Sequence, residues 1–133
     1  MDHDPVHPGS TASVVAEMGA RLDRLPPASA SRGHFLRTYR RTTAAVGAAI
    51  TRGVFEDRDW VEAWDVAFAA LYLAALDADL RGAGAVRRPW RLAFDAPASL
   101  QPLQHVLLGI NAHVNYDLPG CRPAVPSTGC SRR

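Results

Sequence analysis

Apolar residues recur along this chain at three- and four-residue intervals, the spacing of helices that each hide one face. Val14, Val15, Met18, Leu22 and Leu25 predict a first helix over 11–25, closed by Pro26-Pro27. Phe35, Tyr39, Thr42, Val46 and Ile50 carry a second over about 32–52, with Gly53 just past its end. The third is the clearest. Asp59-Trp60-Val61-Glu62 resembles a capping box, with Glu62 serving the cap, and Val61, Trp64, Phe68, Leu71, Tyr72, Ala75 and Leu76 continue the stripe towards Gly82 and Gly84. Pro89 and Pro97 then leave room only for a short helix around Trp90–Phe94, whose aromatic rings plug the core from the side. A last helix starts after a Ser99 cap, takes Pro102 in its first turn and runs to about Asp117, where Pro119-Gly120 stop it. Leu103, Val106, Leu107, Ile110 and Val114 define its inward face. No stretch alternates as a strand would, and no segment repeats. The pattern implies an all-α fold: a small bundle-like or orthogonal helical domain of four to five helices over 11–119, between disordered tails at 1–10 and 120–133.

Composition narrows the classes. A chain of 133 residues makes one domain. Its net charge is only +2, and all fifteen basic residues are arginine, scattered rather than gathered on one face, so no nucleic-acid partner is expected. No apolar run approaches the roughly 20 residues of a membrane span. Met1-Asp2-His3-Asp4 lacks the basic-then-apolar order of a signal peptide, so a cytoplasmic location is expected. Cys121 and Cys130, in a Pro/Gly/Ser-rich tail, read as free thiols. His3, Asp4 and His7 are given no functional weight.

The candidate chemistry lies in polar residues placed on apolar stripes, because a buried polar group has to be compensated. At about 100° per residue, Asp117 falls roughly 20° from Ile110 and His113 roughly 60° from it, so both join the inward face of the last helix. Four residues apart, they are neighbours. Asn111 lies on the opposite edge. His105 and Asn115 point outward, and His34 is solvated. On the third helix Asp65 falls within the stripe, between Trp64 and Phe68, with His113 as its expected partner. Asp65, His113 and Asp117 thus form the candidate cluster, with Asn111, Asn115 and Tyr116 nearby and Tyr39 and Tyr72 as core aromatics whose hydroxyls reach polar partners.

Two uses fit that cluster. Imidazole plus two carboxylates suits a divalent metal with open positions for a small-molecule ligand. Without metal, His113 acts as a general base oriented by a carboxylate. Either describes a small protein with a metal-dependent or acid/base site. The alternative is a non-catalytic ligand-binding or protein-interaction module in which the same residues form a structural polar core.

The segments Gln104-His105-Val106-Leu107-Leu108-Gly109-Ile110-Asn111-Ala112-His113-Val114-Asn115-Tyr116-Asp117-Leu118-Pro119 and Asp65-Val66-Ala67-Phe68-Ala69-Ala70-Leu71-Tyr72 resemble, in that order, the signature helices of DUF5995, a bacterial helical family of unknown function. The resemblance covers about residues 33–119. It implies an all-α fold and a polar Asn/His/Asn/Asp site, and no activity. After Pro119 the text departs from the family pattern and has the composition of a frameshifted GC-rich reading frame. The expectation is a truncated chain whose exposed apolar face invites a homodimer.

Overall fold

The computed structural model describes residues 9–121 apart from 83 and 85. The rest of the two tails, with Cys130 and the three residues His3, Asp4 and His7, lies outside the described residues. Those described form five α-helices and no strand: α1 (Thr11–Asp23), α2 (Gly33–Thr51), α3 (Arg58–Leu80), α4 (Arg88–Phe94) and α5 (Pro102–Ile110). A 3-10 turn, Pro27–Arg32, leads into α2. A π-helical segment, Asn111–Asp117, continues α5 and ends in a single turn, Leu118–Gly120.

Local chemistry fixes the ends. Ser10 caps α1, its hydroxyl accepting from the Ser13 N–H at 3.1 Å. Gly53 and Gly82, at φ 74° and 69°, turn the chain out of α2 and α3 in the left-handed conformation that side chains resist. Three expected caps differ. Asp57, not Asp59, caps α3, accepting from the Trp60 N–H at 3.1 Å. Glu62 serves another helix altogether: its Oε2 accepts from the Thr11 N–H and hydroxyl at 3.3 and 3.1 Å, satisfying the first turn of α1. On α5 the start falls at Gln101 rather than Ser99, and the Gln104 side chain accepts from the Gln101 N–H at 2.8 Å.

One core joins α1, α2, α3 and α4 to the π segment. Val14 and Met18 of α1, Phe35, Leu36 and Tyr39 of α2, Ala69, Tyr72, Leu73 and Leu76 of α3, and Trp90 and Phe94 of α4 meet Ala112 of the π segment. The short α4 does plug the core from the side, with Trp90 among the largest fully buried side chains. Leu71, expected inward, is exposed, because the buried face of α3 is centred on Ala69, Tyr72, Leu73 and Leu76. Two ion-pair clusters tie the layers. Arg21 of α1 grips Asp77 of α3 through two bonds of 2.8 and 2.7 Å. Asp79, nearly buried, accepts from Arg32 of the 3-10 turn and from Arg91 of α4.

The largest departure from the expected pattern is on α5. Its buried face is His105 and Gly109, continued by Ala112, His113 and Asp117. The apolar stripe Leu103, Leu107, Ile110 and Val114 is exposed, with Val106 only half-buried. Two features reverse the face. The first is close approach: a Cβ built on Gly109 would collide with the Phe35 ring. Only a residue without a Cβ lets α5 come that near to α2 at this point. The second is the polar network below, which commits His113 and Asp117 to the interior.

Candidate functional site

Three helical segments, α2, α4 and the π segment, contribute to a chain of buried hydrogen bonds. Asp117 Oδ2 accepts from the Trp90 indole N–H at 2.9 Å and contacts His113 Nδ1 at 2.8 Å. His113 Nε2 lies 2.9 Å from the Tyr39 hydroxyl. Burial, and then the nearby Asp65 charge, pushes the Tyr39 phenol far above its ordinary range, so Tyr39 keeps its proton. An ionised Asp117 can only accept, which puts the proton of a neutral imidazole on Nδ1. Nε2 then accepts from Tyr39. The order is Tyr39 O–H to His113, His113 N–H to Asp117, with Trp90 N–H closing on the same carboxylate oxygen.

The ring of His113 sits among aromatics. Phe68 of α3 stacks on it, centroids 3.7 Å apart and 7° from parallel. The edge-to-face contacts of Tyr39 and Tyr72 lie at 4.8 and 5.9 Å, and Trp90 at 5.8 Å. With His113 only 2% exposed, neither ring nitrogen is free.

The π winding sorts the polar residues of the run into two pairs. His113 and Asp117 bond inward. Asn111 and Asn115 bond outward, Asn115 Nδ2 donating to Asn111 Oδ1 at 2.8 Å, and both are exposed. Tyr116 is exposed and lines a groove of about 260 Å³ with Asp117, Leu71, Trp90 and Arg87.

Asp65 does not pair with His113, whose two nitrogens are already taken. Its Oδ2 is buried without a hydrogen-bond partner among the described residues. Burial, helped by the Glu62 charge, pushes its carboxyl up to about 6. Asp65, His113 and Asp117 do not assemble into a metal-binding group: among the described residues no three His, Cys, Asp or Glu side chains are placed to hold an ion.

Sequence reasoning missed several members of this region. The Tyr39 hydroxyl finds its polar partner in His113, whereas the Tyr72 hydroxyl is buried without one among the described residues. Trp90 is more than the core ring expected, and nothing in its spacing marks it as a hydrogen-bond partner of the last helix. His105, expected in solvent, is buried, its Nε2 without a partner among the described residues and its ring 5.5 Å from that of His34. His34 is accordingly half-buried, and its protonation is disfavoured, first by burial and then by the His105 and Arg37 charges.

Fold and site define the class: a small all-helical domain with a buried Tyr–His–Asp–Trp network under a π-helical segment. The DUF5995 family, a family of unknown function, matches residues 11–131, and the chain belongs to it. That match takes in most of the C-terminal tail that the sequence pattern had set apart. Neither a curated protein nor a solved structure matches the chain. Among the described residues no helix is long and apolar enough to cross a membrane.

Proposed function

We propose that this chain is a non-catalytic protein-interaction module, in which Tyr39, His113, Asp117 and Trp90 form a structural polar core and α5 with the π segment presents the binding face. The observation that carries this reading is the exposure of Leu103, Leu107, Ile110 and Val114, at 66, 55, 42 and 43%. A helix ordinarily buries its apolar stripe. Here the small and polar face goes inward and the apolar one is left for a partner. The buried network supports the same reading. A general base has to reach a substrate proton, whereas His113 is enclosed and bonded at both nitrogens. A fully satisfied network of this kind rigidifies what it holds. The test is Leu107→Glu in the full chain. The fold, judged by circular dichroism and urea midpoint, should survive, and binding of a hydrophobic dye should fall. Loss of the fold would mean the stripe is core, and the reading fails.

A second reading rests on Asp65. A carboxyl held near 6 with one buried, unpartnered oxygen is poised for proton transfer near neutral pH, in an acid/base site with His113 and Asp117. Phosphate-ester, acyl-ester and amide substrates tested against wild type and Asp65→Asn would separate the two. Turnover lost in the variant while its fold is kept favours the site.

A further inference from the structure

We propose that the partner of the α5 stripe is a second copy of this chain, docked antiparallel across a two-fold axis. The inference rests on the interaction-module reading and names its partner.

Spacing supports it first. Leu103, Leu107, Ile110 and Val114 follow intervals of four, three and four, which read the same in both directions. A two-fold interface requires residue i to meet j while j meets i. Antiparallel pairing about the middle of this stripe sets Leu107 against Ile110 and Leu103 against Val114, twice over.

Charge supports it second. The chain carries fifteen basic and thirteen acidic side chains, yet from Ala96 to Cys121 the only Asp, Glu, Lys or Arg is the buried Asp117. The exposed polar flanks of the stripe are the amides of Gln101, Gln104, Asn111 and Asn115. Foreign partners of an apolar helix face are selected by flanking charges, and the segment from Ala96 to Cys121 offers none on its surface. An amide both donates and accepts, so it is its own complement. Two copies therefore meet without like-charge repulsion, and the centre of the contact has the charge depletion of an interface core.

The α-helical part of the stripe, Leu103 to Ile110, spans about 10 Å, and Val114 extends it by less than one further turn into the π segment. That is the small end of interface sizes, so association should be reversible and micromolar rather than nanomolar.

Sedimentation velocity of the full chain, from sub-micromolar to high-micromolar concentration, is the test. The expected result is a reversible monomer–dimer equilibrium for wild type, and monomers for Leu107→Glu and for Ile110→Arg at unchanged circular dichroism and urea midpoint. Mixing those two variants should restore a dimer, because antiparallel docking sets Glu against Arg at the 107/110 contact. A wild type that stays monomeric while its stripe still binds hydrophobic dye overturns the second copy but leaves the module reading standing, with a different partner. A dimer that either variant leaves intact overturns the proposal, since another surface then holds it. Open-ended assembly, or failure of the mixture to pair, overturns the antiparallel two-fold. Unfolding of both variants, and of the milder Leu107→Gln, removes the module reading as well.

Discussion

Trp90 and His113 share one acceptor: the indole N–H and the imidazole Nδ1 both bond Asp117 Oδ2, at 2.9 and 2.8 Å. A single carboxylate thereby joins α4 to the π segment in the interior. Removing it orphans two buried donors at once, each carrying the desolvation cost of an unmade bond. Asp117→Ala should therefore cost on the order of 2–6 kcal/mol, about 1–3 for each orphaned donor. Against a total stability of roughly 5–15 kcal/mol that brings the fold near its limit. Asp117→Asn keeps one acceptor oxygen and should cost clearly less. Urea unfolding of both variants checks the order, and equal losses would mean that one retained acceptor oxygen does not satisfy the Trp90 and His113 donors.

The other end of the network is gentler. Tyr39→Phe keeps the ring packed in edge contact with His113 and removes only the hydroxyl at Nε2. One buried ring nitrogen is left without its donor, so the expected loss is about 1–3 kcal/mol. Because Tyr39 and Asp117 hold opposite sides of one imidazole, their losses should not add. A double-mutant cycle ought to return a coupling of roughly 0.5–3 kcal/mol. Strict additivity would argue that the two bonds are independent and the network is one in geometry only.

The helices themselves were legible in the sequence because their ends are local chemistry. Glycine past α2 and α3, paired prolines after α1 and the apolar periodicity of each segment all act within a few residues. What the sequence hid was which face of α5 turns inward. Hydropathy favours Leu103, Leu107, Ile110 and Val114, but the outcome depends on Phe35 and Tyr39, about seventy residues away in the chain. His113 and Asp117 were placed inside by reference to a stripe that is itself outside. They are buried because Trp90 and Tyr39 supply their bonds, not because Ile110 is their neighbour. The same limit explains Glu62, whose partner lies on α1, and Asp65, for which helix angle alone cannot choose among the residues facing it.

Gly109 measures how tightly that reversed face is packed. Its Cβ position falls on Phe35 Cβ, Cγ and Cδ2, atoms too close to the α2 backbone to swing away. Gly109→Ala should lose about 1–3 kcal/mol by overpacking, less the ~1 kcal/mol that alanine gains in a helix. Phe35→Leu, tested alone and with it, should make the alanine markedly better tolerated. If Gly109→Ala instead stabilises the chain, α5 is free to move away from α2, and the close approach does not set its face.

Asp65 gives the chain a pH signature of definite sign. Its carboxyl rises from an ordinary 3.8 to about 6 on folding, mainly through burial. The folded state therefore holds this proton more tightly than the unfolded one. Stability associated with the protonated form is fully present below about 4 and is lost as pH rises through 6. Asp77 works in the opposite sense: its bonds to Arg21 lower its carboxyl, so its contribution is lost as pH falls below the ordinary carboxylate range. Asp65→Asn isolates the first effect, because the amide has no charge to bury at any pH. The variant should match wild type near pH 4 and gain on it across the interval to about 6, levelling off above neutrality. The plateau should be on the order of 1 kcal/mol, since the site is partly open to screening solvent. Urea midpoints of both proteins at a series of pH values give the difference curve directly, with Asp77 and every other shared group cancelling. A flat curve would mean that solvent already satisfies the Asp65 oxygen in the folded chain. The acid/base reading would then lose the raised carboxyl on which it stands.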